Sequence, residues 1–166
     1  MPFIDRTILD FLLYDWLDAA ALTKLPRFSE HSRETFDAVL DLSARVADDH
    51  FAPHAKRSDQ NEPVFDGETV HVLPDIKAAL QAYAEAGLFA ATFDEALGAQ
   101  IPAVIHTAST ALTMAANIAT AAYPMLTVAN ARLLATFGLP GQIDTFARPL
   151  VEGRWSAPES TSDSSV

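Results

Sequence analysis

Apolar residues recur at three- and four-residue intervals along most of the chain, which predicts helices rather than strands. Ile8, Leu12, Leu13, Trp16 and Ala19 predict an amphipathic helix over 6–20, stopped by Leu25-Pro26-Arg27. Ser29 stands where an N-cap is wanted for a second helix. Its inner face carries Phe36, Val39, Leu40, Ser43, Val46, Ala47 and His50, while Glu34, Asp37, Asp41 and Asp48 face water. Pro53 ends or kinks this helix. From 56 to 73 the period fails around Asn61-Glu62-Pro63 and Asp66-Gly67, which predicts a long surface connection.

Pro74 suits the first turn of a third helix with Ile76, Leu80, Tyr83 and Ala84 on one face, and Gly87 is placed for a left-handed C-terminal residue. Residues 88–97 read as a turn-bearing connection with Asp94 and Glu95 in water. Pro102 opens a run in which Val104, Ile105, Ala108, Leu112 and Ala115 repeat helically, and Pro124 is expected to break it near Tyr123. Met125, Val128, Ala129, Leu133 and Phe137 continue a second helix to Gly138, and a last short one runs from Pro140 to Gly153. The Ser-rich segment 156–166 has nothing with which to bury a core face and is expected to be a flexible tail. The expectation is an all-α bundle of about six helices with almost no strand.

Composition narrows the function. The 166 residues, 49% of them hydrophobic, suffice for one buried core. The formal charge of −11, from 11 Lys+Arg against 22 Asp+Glu, repels phosphates and anionic headgroups, so neither nucleic acid nor a membrane is an expected partner. With no cysteine, disulfides, thiolate catalysis and Cys-based metal sites are excluded. Met1 to Arg6 lacks a basic leader followed by an apolar block, and a cytoplasmic protein is expected. The stretch 96–131 contains no Asp, Glu, Lys or Arg and is long enough to cross a bilayer. Its Thr107, Ser109, Thr110, Thr113, Asn117, Thr120, Thr127 and Asn130, set among alanines, instead suit two helices buried in a soluble fold.

Chemistry-bearing residues are few. His50 and His54 stand four apart, the spacing at which two imidazoles share a metal, but Pro53 lies between them; the plainer reading packs His50 and solvates His54. No positioning turn surrounds any serine, so a Ser-His-Asp triad has no frame. The glycines are isolated helix terminators, not a phosphate-binding loop. His106 on an uncharged helix reads as a hydrogen-bonded core residue. The Tyr123-Pro124-Met125 break is a place where an apolar slot with unpaired backbone groups would take a thin ligand.

The run from Leu134 through Phe137-Gly138-Leu139-Pro140-Gly141-Gln142-Ile143 to Leu150-Val151-Glu152-Gly153-Arg154-Trp155 resembles the end of the N-terminal helical domain of acyl-CoA dehydrogenases. Upstream, Ala84-Glu85-Ala86-Gly87-Leu88-Phe89 and Phe93-Asp94-Glu95-Ala96-Leu97-Gly98 look like that family's helix and acidic connection. Leu13-Tyr14-Asp15-Trp16-Leu17, with 28–42, is similar to the N-terminal extension of its methylthiopropionyl-CoA dehydrogenase branch. On this resemblance 1–27 is an extension helix, 28–155 the helical domain and 156–166 the start of a missing flavin-binding β-domain. Two departures stand out. Gly98-Ala99-Gln100 occupies the place of a typical Gly pair, and Glu159, Ser164 and Ser165 align with the family's flavin segment only with its Gly lost and Pro158 before the Glu, so no flavin contact is carried over to them.

The resemblance implies FAD-dependent α,β-dehydrogenation of an acyl-CoA thioester. A carboxylate in a C-terminal domain takes the α-proton, and the β-hydrogen leaves as hydride to the flavin. Of the three parts such enzymes have, only the first is matched, so the chain is expected to be a truncated or split piece, without catalytic residues of its own, not binding FAD alone and inactive alone. It would self-associate or meet a partner chain supplying the missing domains. By position in the family pattern, Ala121, Ala122 and Met125 would line one wall of the acyl slot and Tyr123 would shape it. The alternatives are a stand-alone helical interaction module without catalysis and a membrane-inserted hairpin over 102–137.

Overall fold

The computed structural model describes residues 3–155, of which 69% are helical and 3% are strand, so the chain is all-α. The tail at 156–166, with the predicted start of a β-domain, lies outside the described residues.

Asp5 caps the first helix, α1 (Arg6–Asp10), by accepting from the Thr7 amide at 2.8 Å. Arg6 then ties it to its neighbour through Asp10 at 2.6 Å, Asp37 at 2.7 Å and Asp41 at 2.5 Å. Tyr14 donates to the same Asp37 at 2.8 Å, and Arg33 lies 4.1 Å over its ring. The predicted helix over 6–20 is corrected here. After Asp10 the chain widens into a π-helical turn (Phe11–Trp16), then breaks at Asp18, a left-handed residue at φ 48°, before a 3₁₀ segment (Ala19–Lys24). The wider turn shifts the helical phase. Leu9, Leu13 and Ala19 become the buried residues, whereas Ile8 and Trp16 face water.

Helix α2 (Arg33–Val46) is capped by Ser32, not Ser29: Ser32 Oγ accepts from the Thr35 amide while Thr35 Oγ1 accepts from the Ser32 amide, a reciprocal capping box. Phe36, Leu40, Ser43 and Val46 are buried as the pattern predicts. Pro53 does not end the run. A π turn (Ala47–Phe51) and a 3₁₀ turn (Ala52–His54) carry it into α3 (Ala55–Gln60). Together they rotate the face, so His54 is buried and His50 exposed, the reverse of the expectation.

The connection over 56–73 also holds a small antiparallel hairpin that the pattern did not predict. Strands β1 (Val64–Phe65) and β2 (Val70–His71) pair Val64 with His71 and Phe65 with Val70. Asp66 organises the turn by accepting from the Glu68 and Thr69 amides and from His71, which holds its carboxyl far below the usual range, the Thr69 amide contributing most.

Helix α4 (Pro74–Glu85) begins at its proline and ends at Gly87, φ +71°, as predicted. The connection after it leaves Asp94 and Glu95 in water, but Leu88, Phe89, Ala91 and Phe93 plunge into the core. Helices α5 (Ala103–Ala116) and α6 (Ile118–Phe137) follow, then α7 (Pro140–Gln142), a π turn (Ile143–Ala147) and α8 (Arg148–Val151). Helix α5 lies between α2 and α6, and α8 closes over the end of α6. The core runs through Phe36, Leu40, Phe51, Tyr83, Phe89 and Ile105, with Tyr83 and Phe89 edge to face at 4.9 Å. Leu9, Leu13 and Ala19 belong to the same cluster, so 1–27 shares its core with the rest.

Gly98 shows how tightly the connection before α5 is folded, since a Cβ there would sit 1.9 Å from the Ala90 carbonyl oxygen. Gly98→Ala is expected to cost about 1–3 kcal/mol by forcing that backbone apart, read as a lower Tm. Gly141→Ala, with no atom within 4 Å of the added methyl, is expected to leave Tm unchanged or slightly higher.

Candidate functional site

The break between the two uncharged helices falls at Asn117, not near Tyr123. Asn117 is extended at φ −162°, ψ 94°, and its Oδ1 accepts from the Thr120 amide at 3.2 Å, which starts α6. Pro124 is the seventh residue of a continuous 20-residue helix. It removes one internal donor, a loss that burial on the inner face of α6 outweighs.

The same residues knot α6 to α2. Asn117 Nδ2 donates to the Phe51 carbonyl at 3.2 Å, and His54 Nε2 lies 2.8 Å from Thr120 Oγ1, all buried. Burial pushes the His54 imidazole below its ordinary pKa; Asp75 and the His50 backbone act the other way, and Arg57 adds to the downward push. Nearer the middle of the bundle, Ser43 Oγ and Ser109 Oγ meet at 2.7 Å, letting α2 and α5 approach through small polar residues.

With its start fixed, α6 turns Thr120, Ala121, Pro124, Thr127, Val128 and Ala131 inward. Its opposite face is also apolar. Ile118, Met125, Leu126, Leu133 and Phe137 are all exposed along it, with Ala122, Ala129 and Asn130 between them. Helical spacing places Ala122 and Met125 on this outer face, with Ala121 at one edge and Tyr123 at the other. Ala121 is buried, Ala122 and Tyr123 half-buried and Met125 exposed. There is no interrupted helix at Tyr123-Pro124-Met125, so the slot expected there is instead an open helical face.

At the Met125 edge, Arg132 bonds Thr92 and lies 5.1 Å over the Phe93 ring. His106 Nε2 and Thr110 Oγ1, one turn apart on α5, are buried without a hydrogen-bond partner among the described residues. Burial first, then the Arg132 charge, lowers the His106 pKa. The sequence reading of His106 as hydrogen-bonded is therefore corrected. A cavity of about 130 Å³ lies between Phe3, Ile4 and Arg6 on one side and Leu40, Ala44 and Leu112 on the other, away from α6.

Among the described residues no three His, Cys, Asp or Glu side chains are grouped to hold a metal. Asp94 pairs with Arg27 at the surface rather than with a second acid. The described residues do not fit a flavin cradle: Gly98 backs onto Ala90, Gly153 onto Ala84, and Arg132, Arg148 and Arg154 are each engaged within the chain. What the arrangement offers is an apolar helical surface rather than a reacting group.

Sequence reasoning missed His54, Asn117 and Thr120. The Asn117-x-x-Thr120 spacing is an N-cap signal that would have moved the break, whereas the burial of His54 depends on two irregular turns with no sequence period. No helix among the described residues is long and apolar enough to cross a membrane. No protein-family model and no curated protein matches the sequence.

His54 and His106 predict an acid-labile fold. Both pKa values are lowered in the folded state, so the unfolded chain binds more protons; the stabilisation is complete above about pH 6.5 and is lost as pH falls below it. Thermal unfolding should show Tm falling from pH 7.5 to 5.5. His54→Gln with His106→Gln should flatten that slope; an unchanged slope would assign the lability to other groups.

Proposed function

We propose that this chain is the N-terminal helical part of an FAD-dependent acyl-CoA dehydrogenase, completed by flavin-binding and base-bearing domains in further chain or in a partner, and inactive alone. The observation that supports the reading is the outer face of α6, where Ala122 and Met125 lie among exposed apolar residues at the place where the resemblance puts the acyl wall. The all-α fold and the order of the matched segments agree with it. No reaction step is drawn through the flavin, which the described residues do not cradle. The chain's own contribution is steric and hydrophobic: Ala122 and Met125 present a surface against which an acyl chain lies out of water once a second body closes over it, and Ala121 and Tyr123 set its margins.

The stand-alone interaction module is the second reading, supported by the same face and by the absence of a grouped catalytic set among the described residues. Purification from native cells without denaturant separates them. The dehydrogenase reading expects flavin absorbance and dye-linked oxidation of an acyl-CoA to co-elute with the chain, and both to be lost once the chain is stripped of what accompanies it. In that assembly Met125→Trp should lower kcat/KM for long acyl-CoAs at least tenfold more than for short ones. A colourless, inactive pool overturns the dehydrogenase reading and favours the module.

A further inference from the structure

A helix apolar on both faces is ordinarily covered on both, yet α6 has its inner face in the core and its outer face in water. We propose that in the isolated chain the outer face is closed by the α6 of a second copy, in an antiparallel, two-fold symmetric dimer. The inference rests on the open face and goes beyond the dehydrogenase reading.

Charge selects the occupant. With 22 acidic residues against 11 basic, two copies repel one another over most orientations. Helix α6 contains no acid, and its one charge, Arg132, is engaged at the edge with Thr92 and Phe93. This is therefore a face on which two like-charged copies meet without opposing carboxylates.

Shape supports the same occupant. Antiparallel pairing centred between Thr127 and Val128 sets Ala122 against Leu133 of the partner, Leu126 against Ala129 and Met125 against Asn130, with Ile118 against Phe137 at the ends. Each of the three inner pairs opposes a larger side chain to a smaller one, and each occurs twice about the axis, which is what a self-complementary interface requires. The five large side chains, 46–79% exposed, present roughly 600 Å² of apolar area per copy. A pair would hide about 1,200 Å², the lower bound for a specific interface, so the dimer is reversible rather than permanent. Because it buries Ala122 and Met125, it is also a resting form that any body docking on α6 must displace.

Sedimentation equilibrium of the full chain alone tests this. The expected result is a concentration-dependent dimer of twice the 17.9 kDa chain mass at tens of micromolar. Leu133→Asp and Leu126→Asp, each placing two carboxylates in the interface, should each weaken it at least 100-fold with the helical circular-dichroism signal unchanged. The chain has no cysteine, so register is read directly. A mixture of Leu126→Cys and mass-tagged Ala129→Cys chains should form the mixed disulfide, and a mixture of Leu126→Cys and Ile118→Cys should not. A monomer at every concentration, a dimer indifferent to both aspartates, or the reverse cross-linking pattern overturns the proposal. A flavin-free native pool would end the dehydrogenase reading and leave this result standing.

Discussion

The buried hydrogen bonds among Phe51, His54, Asn117 and Thr120 decide how the last half of the molecule is arranged. They join the irregular end of α2 to the turn between α5 and α6, and every polar group in the knot is satisfied by another. Each bond contributes only about 1 kcal/mol net, but losing one partner strands a buried group at roughly 1–3 kcal/mol. The knot therefore specifies direction more than it adds stability. Asn117 stops one helix and starts the next, and Thr120, three residues on, is held against α2, so the rotation of α6 about its axis is set from its first turn.

From that rotation follow the core and the open face together. Thr127, Val128 and Ala131 line up behind Thr120 on the inner side, while Met125, Leu126, Leu133 and Phe137 are carried outward. The outer residues are as apolar as many in the core, and nothing within the chain covers them. Elsewhere exposed positions carry charge: Arg6 meets three carboxylates, and Asp66 gathers its own hairpin turn. The contrast makes α6 the part of the surface with most to gain from a second body, whether an acyl chain under another domain or another copy of the chain.

Much of this was legible as periodicity. The buried faces of α2 and α4, the C-terminal Gly87 and the absence of a charged residue from α5 follow from spacing alone, because regular helices repeat their burial every 3.6 residues. Where the backbone departs from that period, the reading went astray. The π turns at 11–16 and 47–51 each shift the phase, which exchanged the roles of His50 and His54 and exposed Ile8 and Trp16. Pro124 was read as a breaker because propensity was weighed without the burial that overrides it. Ala122 and Met125 were singled out by resemblance, and α6 sets both on its outer face; a lone apolar face carries no local pattern that says what covers it.

The central claim is that the Asn117 junction turns one apolar face of α6 to solvent and the other to the core. Hydroxyl-radical footprinting of the dilute, monomeric chain reads this side chain by side chain. Rapid modification of Met125, Leu126, Leu133 and Phe137, with Phe36, Phe51, Val128 and Phe89 protected, is the predicted result. Protection of Met125 and Phe137 at the same dilution, with Val128 modified, would mean that α6 is rotated the other way and would contradict the account.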